Sequence, residues 1–453
     1  MKPKELADRS DVDLFRMELE NLIDRRHELV RLSEVIDWDG IADEFGMLYV
    51  DRKGRPEIPT RLMAGLLYLK ATFKLSDEDV VRRWVENPYW QFFCGETYFR
   101  HELPIHPTSL TRFRKRIGED GCESLLSQTI DAGLKTKTVE QRDLREVVID
   151  TTVMEKAIAH PTDSRLYHRS RERLVKLAKR RGVPLRQSYA RKSRHTLAKV
   201  GRYGHARQFK RLRRETKRLK IWLGRVVRDI ERKTADNPEQ QAAFANELAL
   251  AHRLLRQQRQ DKRKLYSLHA PQVECISKGK VRKPYEFGVK VSIATTLRSN
   301  FVLASHAMPG NPYDGHTFAR TLLSCFETSG EVVKAAFVDR GYRGCRSTDY
   351  MKLCIAGQRR GMTESLKPKL KRRNAIEPII GHMKAEGHLD RNYLKGTLGD
   401  AINALMAGAG QNLRMILKKL RLLFAWLLEL VASTTQAHTG ASISRDAFGA
   451  VAR

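Results

Sequence analysis

Along the first 140 residues apolar side chains recur at helical spacing. RLMAGLLYLKATF (61–73) is one such run, and Ser76 then opens SDEDVVRRWVENPYW, a polar start followed by an apolar stripe. Pro107-Thr108-Ser109 gives a second start signal ahead of LTRFRKRIG, with Ser109 read as the cap of a short helix carrying Arg112, Arg114, Lys115 and Arg116. Basic residues near a capped start suit a helix-turn-helix DNA reader, and a small helical bundle with a solvated basic face fits the same pattern. Beyond residue 143 the period changes. REVVIDTTVM (145–154) is a β-branched apolar run broken by one acid, the mark of a buried strand. YEFGVKVSIATT (285–296), FVLASHAM (301–308) and VVKAAFVD (332–339) follow as further strands, with helical HTFARTLLSCFE (316–327) between the last two. Strands giving way to a helix and another strand predict an α/β sheet domain.

Between the first and second strands lies a long interruption of different character. Residues 165–233 hold 26 Lys and Arg against 4 acids, so +22 of the chain's net +32 sits in this segment. Leu219, Trp222, Leu223, Val226 and Ile230 recur there at helical spacing, and after Asn237-Pro238 a second series runs through Phe244, Leu248, Ala251 and Leu255. The insertion therefore reads as mainly α-helical, with one apolar stripe and a dense basic face. Such a density of like charge repels itself unless a polyanion is present, so DNA is the expected partner, met by Arg211, Arg213, Arg214, Lys217 and Arg218.

Composition narrows the setting. The 453 residues suggest about three units, and 41% hydrophobic residues can build real cores, which excludes a disordered basic tail. The net charge argues against a neutral metabolic enzyme. Six scattered cysteines without two-residue spacing exclude a zinc knuckle, a redox pair and a disulfide framework. With no apolar signal core at the N-terminus, a reducing, cytoplasmic setting is expected. The most apolar stretch, Leu422–Leu428, is far short of the roughly 20 residues that span a bilayer. No internal repeat emerges, and the segment from Ser433 onward is read as a flexible tail.

Two acids end apolar strands: Asp150 follows Val147-Val148-Ile149, and Asp339 follows Ala336-Phe337-Val338. Ends of buried strands are where open sheets place their chemistry. Either Asp alone is as well explained by a turn or cap, but adjacent buried carboxylates repel unless something positive lies between them, and a divalent metal is the economical answer. Glu377 is the third candidate, at the entrance of a helix whose stripe is Ile376, Ile379, Ile380 and Met383, with Pro378 as the first helical residue. A capping acid would suit that place too. Three acids distributed as strand, strand and helix suit two Mg²⁺ ions about 3.5–4 Å apart in phosphoryl transfer. Arg373 and Lys384 flank Glu377 at near-helical spacing and are read as phosphate contacts. Gly341 would let the backbone after Asp339 approach a phosphate or metal, and Asp314 is expected to cap the helix that follows it. His382 is read as an ordinary surface or core residue.

The segments VIDTTV, VDRGYRG and RNAIEPIIGHMK resemble the three catalytic boxes of bacterial insertion-sequence DDE transposases, in particular the group named after insertion sequence five. HPTDSRLY, GRYGHARQFKRLRR, KPYEFGVKVSIATT, PGNPYDGHTF and GDAINALMAGAGQNLRMIL resemble that group as well, as does the N-terminal RLMAGLLYLK…ENPYWQFFCGE…SLTRFRKRIG. The resemblance implies a ribonuclease H-like catalytic core in which Asp150, Asp339 and Glu377 hold two Mg²⁺ ions, with Mn²⁺ able to substitute. The family's third box runs Tyr, two residues, Arg, three residues, Glu, six residues, Lys; Arg373, Glu377 and Lys384 keep those spacings, and Leu370 stands in the Tyr position.

The expected organisation is a helical N-terminal DNA-binding domain over 1–140, a ribonuclease H-like core over 141–164 and 266–420, a basic helical insertion over 165–265, and a C-terminal helix and tail over 421–453. The expected function is a transposase that binds terminal inverted repeats, cleaves there with water, and joins the freed 3′-hydroxyl to target DNA, as a homodimer or larger assembly on double-stranded DNA. Two rivals remain. One is a metal-dependent nuclease without strand transfer; the other is an inactive DNA-binding protein.

Overall fold

The computed structural model describes residues 17–49, 58–277, 283–358 and 363–447. Among the described residues, the first strand is preceded by α1 (Leu19–Leu22), α2 (Glu28–Val35), α3 (Trp38–Gly46), α4 (Thr60–Thr72), α5 (Asp77–Glu86), α6 (Pro88–Phe93) and α7 (Thr108–Lys135). Ser76 does start α5, its Oγ accepting from the Asp79 amide at 2.9 Å. The helical run ends early, because Asn87 caps α6 and Pro88 takes its first position. Ser109 is not a cap. α7 begins one residue before it, after Pro107, and breaks at Gly118 (φ 69°, ψ −157°), so the basic residues sit on a short first helix over 108–117, as expected, and a second helix runs on to Lys135.

Then come β1 (Glu146–Lys156), α8 (Asp163–Arg180), α9 (Ala190–His205), α10 (Phe209–Thr234), α11 (Pro238–Arg256), β2 (Glu274–Ser277), β3 (Tyr285–Thr296), β4 (Val302–Met308), α12 (Asp314–Ser329), β5 (Ala335–Val338), β6 (Lys352–Ile355), α13 (Leu366–Arg372), α14 (Ile376–Ala385), β7 (Arg391–Asn392) and α15 (Gly396–Ala447). β1, β3, β4 and the four-residue β5 fall within the β-branched apolar runs of the sequence. The short strands β2, β6 and β7 have too few residues to display a period.

The chain divides into two compact units, one of Met1–Met154, Lys290–Leu394 and Leu398–Arg453, the other of Glu155–Val289 with Lys395–Thr397. In the first, β4 pairs antiparallel with β3 from Lys290 onward, and β1, β5 and β6 run parallel. Parallel strands are covered on both faces, which is why Val147, Val148 and Ile149 are all apolar and all buried. Their alternation separates two apolar clusters. Val147, Ile149, Ala336 and Val338 join Phe318 and Cys325 of α12 and the N-terminal helices in one, whereas Val148 and Phe337 join Ile376 of α14 in another.

Within this unit α15 contributes Ile402, Leu405, Ala409, Leu413, Ile416, Leu417 and Leu420 to the larger cluster, so these residues are core. Its run of small residues has a steric cause: a Cβ on Gly410 would lie 2.5 Å from the Ala71 carbonyl oxygen, so only glycine lets α15 lie against the end of α4. No proline interrupts α15, and the expected tail is helical from Ser433 as far as Ala447; residues 448–453 lie outside the described residues.

In the second unit α8–α11 enclose a core of Leu174, Leu219, Leu223, Val226, Ile230, Phe244 and Leu254, and β2 pairs antiparallel with the first residues of β3. Thr162 caps α8, and Asn237 caps α11 with Pro238 in its first position. The apolar stripe of α10 is buried as its spacing requires, apart from a partly buried Trp222 stacked on Tyr189.

Asn412 ties three elements of the first unit together. Fully buried on α15, it accepts from the Val302 amide (2.8 Å) and donates to the Val302 carbonyl (2.8 Å) and to Thr129 Oγ1 (3.0 Å). Asn412→Leu keeps the volume but strands buried polar groups, so it is expected to cost about 2–4 kcal/mol. Urea unfolding measures this, and an unmoved transition would show that the three groups find other partners.

Candidate active site

β1 and β5 pair in parallel with Glu146 opposite Ala335, Val147 opposite Ala336 and Val148 opposite Phe337. The same offset carried two residues further matches Asp150 with Asp339, on strands about 4.8 Å apart. Both acids are half-buried. Asp150 Oδ1 accepts from the Thr151 amide at 2.7 Å. Asp339 opens the tight turn Arg340–Tyr342, and its Oδ1 accepts from the Gly341 amide at 2.8 Å.

Asp314 is brought to the same place. It is not a helix cap: Tyr313 holds that position, and Asp314 is the first residue of α12. Its Oδ1 accepts from Thr151 Oγ1 (2.9 Å) and from Lys290 Nζ (3.0 Å), and Lys290 also donates to the Pro312 carbonyl (2.6 Å). Lys290 is buried in β3, where an ammonium group needs such partners. Its place in the otherwise apolar YEFGVKVSIATT was a signal that a carboxylate would come to meet it.

Gly341 lies between two of these acids. A Cβ there would stand 2.9 Å from Asp314 Oδ2 and 2.9 Å from Asp339 Oδ1. The glycine thus permits a close approach of backbone to carboxylate. Next to it Tyr342 is fully buried, and its hydroxyl, although near Thr317, makes no well-formed hydrogen bond. Burial foremost, and then the charges of Asp150, Asp314 and Asp339, push this phenol far above the ordinary tyrosine range. It remains an O–H at every working pH.

Glu377 is the second residue of α14, not its entrance. α13 and a 3₁₀ turn over Arg373–Ala375 lead straight into it, and the helical backbone continues past Pro378, which needs no amide donor so near a helix start. Ile376 anchors this end of α14 in the cluster of Val148 and Phe337, each two residues before one of the strand acids, with Leu370 packed against the same cluster. Alternation gives Asp150 and Asp339 the parity of Val148 and Phe337. The Glu377 side chain is 68% exposed and stands 3.9 Å from the Arg373 guanidinium. Among the described residues no three His, Cys, Asp or Glu side chains converge closely enough to hold one metal ion. Asp314 and Asp339 thus meet across Gly341, while Glu377 stands exposed on α14.

The basic candidates separate by burial. Arg373 is 12% exposed and donates to Asn374 Oδ1 at 2.9 Å, while Lys384 is half-buried. His382 is exposed and pairs with Glu386 at 2.9 Å. On α10, Arg211, Arg213, Arg214, Lys217 and Arg218 are all exposed. The four acids of 165–233 are already engaged, Glu172 by Arg169, Glu215 by Arg218, Asp229 by Arg232 and Glu231 by His252, so most of the positive charge there is uncompensated. Arg112 is exposed, but Arg114 must be removed from the DNA-contact set. It is 5% exposed and forks onto both Asp77 oxygens at 2.8 and 2.5 Å, and Lys70 joins the same carboxylate. Spacing put it beside Arg112; one helical position further round, it faces the core.

A parallel β1–β5 pair whose register, carried two residues on, sets Asp150 beside Asp339, with further acids on helices of the same unit, and a separate strongly basic helical unit together have the character of an α/β enzyme that processes nucleic acids. Residues 17–116 match the family described as Transposase domain (DUF772), and residues 222–409 match the Transposase DDE domain, a stretch that includes Asp339 and Glu377. A Rhizobium meliloti protein described as uncharacterized protein ORF8 in the nfe locus is 52% identical over 197 residues, 44% of this chain and 95% of that one. No solved structure matches. The chain belongs to the bacterial insertion-sequence DDE transposases, and DDE transposase domains use divalent metal ions. No described helix is long and apolar enough to cross a membrane.

Gly341→Ala is expected to force apart the Asp314 and Asp339 carboxylates at a cost of about 1–3 kcal/mol. The check is an earlier urea transition than that of the native protein; identical transitions would mean that the turn yields freely. Arg114→Ala, which leaves Asp77 buried without its fork, is expected to cost about 3–5 kcal/mol. By contrast, Arg112→Ala should stay within about 0.5 kcal/mol of native in the same assay.

Proposed function

We propose that this protein is an active transposase that binds the terminal inverted repeats of its own element, cleaves DNA there with water, and joins the freed 3′-hydroxyl to target DNA. The observation that carries this reading is the β1–β5 register, which carried two residues past Val148 and Phe337 sets Asp150 beside Asp339, with α14 anchored through Ile376 in the cluster of Val148 and Phe337. The carboxylate oxygens of Asp150 and Asp339 are hard, negative donors of the kind that suits Mg²⁺ or Mn²⁺. Asp150 and Asp339 would hold the ions, with Glu377 supplied by α14. Two such ions lower the pKa of the attacking water or 3′-hydroxyl and stabilise the leaving oxygen, so one centre serves both steps.

The chain's own residues supply the rest. Arg373 and Lys384 flank Glu377 and orient phosphates near the scissile bond, Arg as a fork and Lys as a point charge. The exposed row Arg211, Arg213, Arg214, Lys217 and Arg218 on α10 holds the DNA backbone, and Arg112 adds a contact from the N-terminal helices. The domains so defined are a helical DNA-binding region before residue 140, a ribonuclease H-like core and a basic helical insertion. Joining two element ends requires a dimer or larger assembly on DNA.

The test is nicking and joining of labelled DNA carrying the ends that flank the gene, with Mg²⁺ or EDTA, for the native protein and Glu377→Gln. Metal-dependent 3′ cleavage and joining that fall by at least about 10³-fold in the variant are expected, as for loss of a group acting in the transition state. Cleavage without joining would identify a nuclease. Tight binding without cleavage by either protein would identify an inactive DNA-binding protein.

A further inference from the structure

Helix α12 carries two apolar faces. One, with Phe318 and Cys325, is buried in the large cluster. On the other, Leu323 is 48% and Phe326 49% exposed. With Val332 and Tyr350, also exposed, they wall a groove of about 470 Å³ whose floor includes the buried Val333 and Met351. A single exposed apolar side chain needs no explanation, but four around one groove form a surface better covered than wetted. Ala319, Leu323 and Phe326 are spaced by four and then three residues, as in a coiled-coil seam, and Arg320 and Glu327 flank that seam on the same side, both exposed. Within the chain their charged groups stand 3.9 Å apart, too far for a hydrogen bond, so each keeps capacity for another partner. The two residues lie equally far, about 5 Å along the axis, on either side of a point between Leu323 and Ser324. A two-fold axis through that point would lay a second α12 antiparallel on the first and set Arg320 of each copy against Glu327 of the other. A parallel alignment would instead bring like charges to the same height.

We propose that this outer face of α12 is the contact through which two copies of the chain pair antiparallel about a two-fold axis, with Leu323 and Phe326 packed across the axis and Arg320 paired with Glu327 on either side of it. The face is complementary to itself in sign, as an isologous contact must be. The apolar seam supplies the attraction, and the two charges set the direction in which the helices lie. The inference goes beyond the transposase reading and does not depend on it, since the pairing needs neither DNA nor a metal ion.

The experiment is sedimentation velocity of the full-length protein, freed of nucleic acid, at about 0.15 M salt. Thermal unfolding is followed alongside, because Arg320 also lies in the field of Glu119 and Glu123. The native protein is expected to sediment as a dimer at micromolar concentration; a native monomer would leave the groove to another occupant and overturns the proposal. Arg320→Glu and Glu327→Arg each set like charges face to face, and each alone is expected to weaken self-association at least about tenfold. Mixed in equal amounts, the two variants carry opposite charges at every facing position and should pair within several-fold of the native affinity. Such recovery can arise only between chains, so a mixture that stays monomeric, or single variants that dimerise like the native protein, overturns the proposal. Leu323→Asp puts a charge beside the axis and is expected to weaken the dimer at least about a hundredfold with unfolding unchanged. A native dimer in this variant places the contact elsewhere and overturns the pairing, even should reversal of Arg320 unfold the chain.

Discussion

The parallel pairing of β1 with β5 is the constraint on which the rest of the site depends. A register is set by which apolar residues must be buried on which face, and a slip of one residue would turn every side chain of β1 to the opposite side. Here Val147 and Ile149 are claimed by the cluster that holds α12, and Val148 by the cluster that holds α14. Those claims exclude a one-residue slip of β1 against β5, and the register adopted, carried two residues on, matches Asp150 with Asp339. Apolar packing therefore sets the spacing of two charges that would otherwise repel.

Charge is managed in three ways in this molecule. At the sheet, Asp314 meets the buried ammonium group of Lys290, which needs such a partner. Within residues 165–233 of the second unit, 26 basic residues stand against 4 acids that are already engaged, an arrangement that invites a polyanion. In the N-terminal helices, by contrast, Asp77, Lys70 and Arg114 satisfy one another out of solvent. Such a triad adds little net stability over apolar residues of the same shape, but breaking it is costly, so it fixes how α4, α5 and α7 meet. The arrangement within residues 165–233 suits a nucleic-acid-processing transposase, and the other two serve its fold.

The N-terminal helices and the sheet share one apolar cluster, to which α15 also contributes. Gly410 against the Ala71 carbonyl and Asn412 against Val302 and Thr129 show how α15 is seated: one contact demands the absence of a side chain, the other a particular amide. Pairing rules of this kind are steric and local in space but distant along the chain. They position the sheet that carries the acids without taking part in any chemistry.

The longer strands, most helix starts and the helical, basic character of residues 165–233 were legible in the sequence, because each rests on neighbours in the chain: alternation, helical spacing, caps and charge density; Asp150, expected at a strand end, lies instead within β1, which runs on to Lys156. Ser76, Asn237 and Pro238 act where their local chemistry says they should. What was misread depended on contacts between distant segments. Ser109 yields the start of α7 to the residues before it, Arg114 turns to Asp77 rather than outward, and Asp314 forgoes its expected cap for Thr151 and Lys290. The four-residue strands β2 and β6 follow the edges of longer neighbours and have no period of their own. The sequence by itself determined which residue types lie along strands and helix faces, since those follow from periodicity. Only the tertiary structure decided which of these charges meet, because a carboxylate's partner is set by the register and packing of elements far apart in the chain.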